Sequence, residues 1–207
     1  TDLANLSQEE MQRRQLSFSK SRQRSRVHRL TYPDYVEARV FDEEGVLIGQ
    51  HRFIGLYTSS VYTMHPKYIP ILRRKVQAVM EMSNMDWAEH ETRELARVLE
   101  LFPRDELFQI AEEDLNNISL GVLELQDRPR IKAFARRDPF GRFVSCLVYV
   151  PRESHTTDLR MRFGDIVAQE YHGHVSASYT HIGETPLARI HFIIGIDDAG
   201  KAPVDGD

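Results

Sequence analysis

The stretch FARRDPFGRFVSCLVYVPRE, residues 134–153, decides the fold of the second half of the chain. Two runs with alternating apolar residues, RIKAFARR and RFVSCLVYV, flank the tetrapeptide Asp138-Pro139-Phe140-Gly141. Aspartate at the first position of a turn and proline at the second favour a type I turn, so the stretch predicts a β-hairpin. It also holds the single cysteine of the chain, with three arginines around the turn, which raises the question of a reactive thiol beside an anion-binding loop.

The alternation of side chains along the second strand answers the first part of that question. It places Cys146 between Val144 and Val148 in one apolar row. A reactive thiol needs exposure and a nearby base or positive field, whereas Arg142 lies four residues away, about 13 Å along an extended strand. We therefore expect Cys146 to be a buried structural thiol.

The remainder of the second half predicts one helix followed by two strands. TTDLRMRFGDIVAQEY has a threonine N-cap and four apolar residues that we expect to face inward, Leu159, Phe163, Ile166 and Val167. The strands are HVSASYTHI and LARIHFIIGI. A hairpin, a helix and two more strands predict an antiparallel α+β sandwich of a sheet and a helix.

The first half predicts a second hairpin and then three helices. YVEARVF and VLIGQHRFIGL flank Asp42-Glu43-Glu44-Gly45, another type I turn signature. The helical segments are HPKYIPILRRKVQAVMEM, DWAEHETRELARVLELF and AEEDLNNISLGVLELQ, whose apolar residues recur mainly at spacings of three and four. Pro103 separates the second helix from PRDELFQI and predicts a break or a new turn there.

Composition excludes several classes of protein. The chain has 207 residues, 41% of them hydrophobic and 28% charged, and a net charge of −4, which is ordinary for a globular protein and gives no general attraction to nucleic acid or anionic membranes. No apolar run approaches the roughly 20 residues that span a bilayer. A single cysteine fits a reducing compartment, and we expect a cytoplasmic protein. The sequence starts without an initiator methionine and ends in a polar tail that lacks structure signals, so we expect a piece of a longer polypeptide.

Three groups of residues are candidates for binding. Arg136, Arg137, Asp138 and Arg142 form a candidate effector or interface site, although Asp138 could instead cap its own turn and pair with an arginine. The histidines His172, His174, His181 and His191 lack the motifs of a zinc site, and we assign no metal. Arg22, Arg24, Arg26 and Arg29 could contact phosphates, but aromatic residues do not interleave with them, so an edge strand or a subunit contact is favoured and nucleic acid is not expected.

Five strings occur in the order found in a known family: RSRVHR, VFDEEGVLIGQHRFIGLYTSSVY, IPILRRKV, FPRDELFQI and RRDPFGRFVSCLVYVPRE. Together they resemble the N-terminal regulatory portion of the very large bacterial NAD-dependent glutamate dehydrogenases. The resemblance extends over residues 16–196. It implies ACT-like domains, which are α/β sandwiches of ferredoxin-like character, and it implies that residues 128–196 are the third such domain of the family.

Together with the patterns above, the resemblance gives the predicted fold class, domain divisions, cofactors and partners of this chain. The fold class is α+β, with ACT-like, ferredoxin-like antiparallel sheets that carry helices on one face and are joined by a helical connector. The divisions are 1–62, the C-terminal part of one ACT-like unit; 63–127, the helical connector; 128–197, a second ACT-like domain; and 198–207, a disordered tail. Catalytic and NAD-binding residues belong to a downstream domain, so this chain has no cofactor site. The partners implied are the rest of the same chain, further copies of the parent and an amino-acid effector, with no membrane.

Overall fold

The computed structural model of the protein describes residues 15–21, 25, 27, 32–84 and 90–196. They divide into two compact units. The first unit comprises the described parts of Thr1–Lys75 and Phe102–Ile110, and the second those of Val76–Leu101 and Ala111–Asp207. No helix in these described ranges is both long and apolar enough to cross a bilayer. The predicted four-part division of the chain stays a prediction.

The first unit is built on a three-stranded antiparallel sheet in the order β1-β2-β3. Its strands are β1 (Leu16–Lys20), β2 (Asp34–Phe41) and β3 (Leu47–Gly55). Its helices are α1 (Ser59–Thr63), a 3-10 turn (Pro66–Tyr68), the first half of α2 (Pro70–Met82) and α4 (Arg104–Gln109). Pro103 immediately precedes α4, so the predicted break at this proline is confirmed.

The predicted turn between β2 and β3 is confirmed. The Gly45 N–H donates to the Asp42 carbonyl at 3.1 Å, and Gly45 has a φ of 81°, which glycine adopts without a steric penalty. The Val46 N–H donates to the Asp42 carboxylate at 2.7 Å. The turn residues therefore fix this hairpin locally.

The second unit contains a four-stranded antiparallel sheet in the order β4-β5-β7-β6. Its strands are β4 (Lys132–Arg137), β5 (Phe143–Pro151), β6 (Gly173–Ile182) and β7 (Leu187–Ile196). Its helices are the second half of α2, α3 (His90–Leu101), α5 (Glu112–Asp127) and α6 (Thr157–Glu170). The predicted N-cap of α6 is confirmed, because the Thr156 hydroxyl accepts from the Leu159 N–H at 3.1 Å.

Helices lie on both faces of this sheet. On one face, the row that contains Cys146 packs with α6, and the core residues are Val144, Cys146, Val148, Val150, Val167, Ala188, Ile190, Phe192 and Ile194. On the other face, α5 approaches β4 so closely that a Cβ on Gly121 would lie 2.9 Å from the Phe134 ring. Both faces of the central strand are covered, and every residue from Phe143 to Val150 is buried.

One apolar residue of α6 faces away from the sheet, although it was predicted to face inward. Ile166, expected to face inward, is 61% exposed. The helix approaches the sheet at Gly164, where a Cβ would lie 3.3 Å from both Phe192 and Val175. Residues two positions apart on a helix are about 200° apart, so Ile166 points away from the sheet. The absence of a side chain at Gly164 sets this rotation.

A substitution at Gly173 tests how closely the backbone packs where α6 is followed by β6. A Cβ at this position would lie 2.1 Å from the Gly195 carbonyl oxygen, which is a backbone atom that cannot turn aside. We expect Gly173→Ala to lower the free energy of unfolding by about 2 kcal/mol or more, measured by urea denaturation. Gly183→Ala is the control, because a Cβ there would meet only the His181 side chain, at 3.2 Å. Equal effects of the two substitutions would contradict this account.

Candidate functional site

The candidate turn holds an ion pair between two of its own residues. Asp138 Oδ2 accepts from the Phe140 and Arg142 backbone N–H groups at 3.2 and 3.3 Å. The Arg142 guanidinium donates to both carboxylate oxygens, at 2.9 and 3.2 Å. Since the Asp138 side chain is only 1% exposed, this carboxylate caps the turn and neutralises Arg142. The structure therefore shows the alternative that the sequence left open, in which Asp138 caps its own turn and pairs with an arginine.

The other two candidate residues, Arg136 and Arg137, are neighbours on β4 and point to opposite faces of the sheet. The Arg137 guanidinium lies 5.6 Å from the centre of the Tyr171 ring, which is a cation–π contact. An Arg136 N–H donates to the Arg137 carbonyl at 3.4 Å. The structure pairs Asp138 with Arg142 but places Arg136 on the face opposite Arg137, and the role of the four residues as an effector or interface site stays a prediction.

Cys146 is a buried structural thiol, as predicted. It is 2% exposed, and burial raises the pKa of its thiol to about 11. The thiolate is the nucleophilic form of cysteine, so a raised pKa leaves little of it near neutral pH.

The histidines lie in separate environments. His172 occupies a turn with a φ of 51°, and His174 Nε2 lies 3.1 Å from the Ser176 hydroxyl. His191 is buried and lies 2.8 Å from the Ser145 hydroxyl. Within the described ranges, no group of three or more His, Cys, Asp or Glu side chains could hold a metal ion. The arginine row at Arg22, Arg24, Arg26 and Arg29 lies outside the described residues.

A polar cluster in the first unit has no counterpart among the sequence predictions. The Lys20 ammonium lies 2.7 Å from an Asp34 carboxylate oxygen and 3.1 Å from one of Asp105. The Tyr62 hydroxyl donates to the other Asp105 oxygen at 2.8 Å. We call Lys20, Asp34, Tyr62 and Asp105 the acid–lysine cluster. It joins β1, β2, α1 and α4, so it holds the sheet and helices of the unit together.

Burial and neighbouring opposite charges have opposite effects on the pKa values of Asp34 and Lys20 in the acid–lysine cluster. Burial raises the pKa of Asp34 to about 6, and the neighbouring Lys20 offsets only part of that effect. Burial by itself lowers the pKa of Lys20, but the two carboxylates outweigh it and the net pKa is raised. Burial, together with Asp34 and Asp105, also raises the pKa of the nearby Tyr57. The Asp34 carboxylate therefore stays charged at a cost in free energy.

Helix α4 is held at its other end by a lysine. The Lys75 ammonium donates to the carbonyls of Leu107, Phe108 and Ile110 at 2.9, 3.0 and 2.7 Å. These carbonyls lie at the C-terminal end of α4, where a helix leaves acceptors without intrahelical partners and where positive charge is favourable. Phe108 also stacks on Tyr57, with ring centres 4.6 Å apart.

No local pattern in the sequence could reveal the acid–lysine cluster. Lys20 and Asp34 face each other only through the register of β1 and β2, and Asp105 is on a distant helix. The string FPRDELFQI contains Asp105 and contributed to the family resemblance. Its physical role becomes visible only once α4 is placed beside β1.

Comparison with known proteins identifies the family. Residues 69–128 match the family described as glutamate dehydrogenase, helical motif 1, and residues 132–207 match the one described as glutamate dehydrogenase, ACT2 domain. The chain belongs to the glutamate dehydrogenase family. The predicted family is confirmed, but the expectation of a third ACT-like domain was wrong, because the domain that matches is the second.

Curated relatives share the same name. The NAD-specific glutamate dehydrogenase of Halomonas elongata is 42% identical over 192 residues, and that of Pseudomonas aeruginosa is 41% identical over 190 residues. These matches cover 93% and 92% of this chain, but only 12% of each relative. The protein of the same name from Mycobacterium tuberculosis is 32% identical over 171 residues, which is 83% of this chain and 10% of that relative. The chain thus spans about an eighth of the length of the first two relatives.

The raised pKa of Asp34 predicts an unusual pH dependence. Its pKa of about 6 in the folded chain exceeds the ordinary value of 3.8, so the folded state binds more protons between these values. The contribution of Asp34 to stability is therefore greatest below about pH 4 and is lost as the pH rises through about 6. Asp34→Asn removes this dependence. We expect the stability of the parent chain relative to Asp34→Asn to fall between about pH 4 and pH 7 in urea denaturation.

The control for this experiment is Asp158→Asn, since the Asp158 side chain is 76% exposed and pairs only with Arg162 on the surface of α6 among the contacts described. The difference in stability between the parent chain and this control should change little over the same pH range. A difference for Asp34→Asn that stayed constant, or that rose with pH, would contradict the raised pKa.

Proposed function

We propose that this chain is a non-catalytic regulatory and assembly region of an NAD-dependent glutamate dehydrogenase. The parent enzyme interconverts L-glutamate with 2-oxoglutarate and ammonium, using NAD. One observation carries the proposal: the chain matches an ACT domain and a helical motif of this family while spanning 12% of relatives named NAD-specific glutamate dehydrogenase. The catalytic and NAD-binding groups of the parent would then lie elsewhere in the polypeptide.

The chemistry of the described side chains supports a non-catalytic role. The single thiol is buried and has a raised pKa. The Asp138 carboxylate is bound by its own turn and by Arg142. The Lys75 ammonium is surrounded by three carbonyls at the end of α4. These three groups are therefore either buried or bound within the structure, which supports a structural role for each of them.

The proposal includes the partners and the location of the region. Its first partner is the remainder of its own polypeptide, followed by further copies of the parent in a homo-oligomer. We place the parent in the cytoplasm, where a buried free cysteine stays reduced. The region itself takes no cofactor, no nucleic acid and no membrane.

Activity measurements test the non-catalytic role. We expect the isolated chain to show no reduction of NAD in the presence of L-glutamate, followed by absorbance of NADH, because the residues that bind both substrates are outside it. The full-length protein from the same source is the positive control. Turnover by the isolated chain would refute the non-catalytic role, and an inactive full-length protein would refute the parent activity.

An amino-acid effector is a second candidate role, favoured by the exposed Arg137 beside the Asp138 turn. In that case, titration calorimetry of the chain with the common amino acids gives heat for at least one of them, and Arg137→Gln weakens binding by about tenfold or more because it removes a charged partner of a carboxylate. Arg162→Gln is the matched control, since Arg162 is an exposed arginine on α6. Absence of heat with every amino acid would leave assembly as the role of the chain.

A further inference from the structure

Strand β3 is exposed at each of its nine residues. Four large apolar side chains on it face solvent, with exposures of 42% for Leu47, 64% for Ile48, 62% for Phe53 and 60% for Ile54. Within the described sheet it is an edge strand, since its one neighbour is β2. An edge strand presents a row of backbone groups that can pair with another strand, and these side chains add apolar surface to that edge.

The other three edge strands carry features that oppose further pairing. Strand β1 has only five residues and includes Lys20, and β6 has an irregularity between Val175 and Ala177 within the strand. Strand β4 is rich in basic residues: Lys132, Arg136 and Arg137. Strand β3 has no lysine and no proline, and its one shift in register against β2 is at the end nearest the turn. Of the described edges, β3 is therefore the one best suited to accept another strand.

We propose that β3 pairs antiparallel with β3 of a second copy of this chain, about a two-fold axis through His51. The distribution of side chains along the strand supports a copy of itself as the partner. Apolar pairs lie at both ends, Leu47-Ile48 and Phe53-Ile54, while the centre, residues 50–52, is polar. An antiparallel two-fold arrangement places each apolar end against the opposite apolar end of the partner and leaves the polar centres together.

The position of the two-fold axis determines which residues of the two β3 strands lie opposite each other, and these pairs favour one register. With the axis at His51, Gly49 lies opposite Phe53 on both sides of the axis, and Gln50 lies opposite Arg52. A Cβ at Gly49 would meet no atom within 4 Å, so the open space there can receive a Phe53 ring.

Axes one residue away give less favourable pairs. An axis at Arg52 places Leu47 and Ile48 opposite residues 57 and 56, which lie beyond the end of β3. An axis at Gln50 places the charged Arg52 against the apolar Ile48. The axis at His51 avoids both arrangements and lies at the centre of the nine-residue strand.

The contact is expected to be weak in the isolated chain. One strand pair buries less than the roughly 1,200 Å² at the lower limit of stable interfaces, so dimers should form at high micromolar concentrations. In a larger assembly, other contacts hold the copies near each other and raise their effective concentration. The biological meaning of the contact rests on the assembly role proposed above, whereas the strand pairing itself can be measured without any enzyme activity.

Sedimentation equilibrium of the 207-residue chain over a range of concentrations tests the pairing. We expect a monomer–dimer equilibrium, and we expect Ile54→Lys to raise its Kd by at least about tenfold, because two lysines would enter the paired edge. Ile166→Lys is a closely matched control, since Ile166 on α6 is 61% exposed and Ile54 is 60% exposed. Circular dichroism establishes that both variants fold.

Disulfide trapping tests the register independently of that substitution. With the axis at His51, two copies of His51→Cys face each other at a Cα separation suited to a disulfide, so mild oxidation should give a covalent dimer. Gln50→Cys is the control, because position 50 would face Arg52 of the second copy. The native Cys146 is 2% exposed and does not compete.

Three results would overturn the proposal. The first is a monomer at every concentration together with no disulfide at position 51. The second is preferential trapping at position 50, which would place the axis elsewhere. The third is trapping in the isolated chain but not in the full-length protein, which would mean that another part of the polypeptide covers β3. None of these results changes the activity measurements, so a failure here is distinguishable from a failure of the proposed function.

Discussion

The burial of β5 on both of its faces is the constraint on which the second unit depends. Because side chains alternate along a strand, the valine and cysteine row enters one core with α6, and the row of Phe143, Ser145, Leu147 and Tyr149 is buried on the other side. The strand also pairs with β4 and β7 along its length. The two cores of the unit therefore meet at one strand, and its polar members need partners, as Ser145 has in His191.

Much of this architecture could be predicted from local patterns. The Asp-Pro-Phe-Gly turn, the alternation around Cys146 and the Thr156 cap each depend on residues within a few positions of one another. The burial of the second face of β5 could not be predicted in the same way, because its cover comes from α5, a separate element. The orientation of Ile166 was missed for a related reason: helical periodicity gives several apolar stripes, and the close approach at Gly164 selects one.

The candidate site shows the same limit more clearly. Sequence reasoning found the charged turn because its residues are adjacent, and it included the alternative in which Asp138 binds an arginine of the turn. Sequence reasoning did not find the acid–lysine cluster, because Lys20, Asp34 and Asp105 come together only through strand register and the packing of α4. The family resemblance identified the string that contains Asp105, but a resemblance does not tell what a residue contacts.

The first unit is discontinuous in sequence, and this affects how the chain can fold. Its sheet ends at Gly55, but α4, whose Phe108 packs 5.4 Å from Phe18, lies after a segment assigned to the second unit. During synthesis the sheet is therefore complete long before the helix that covers it leaves the ribosome. Contacts so far apart in sequence carry a large loop-closure entropy and slow folding. A nascent chain would expose apolar strands during this interval, when protection by a chaperone would matter most.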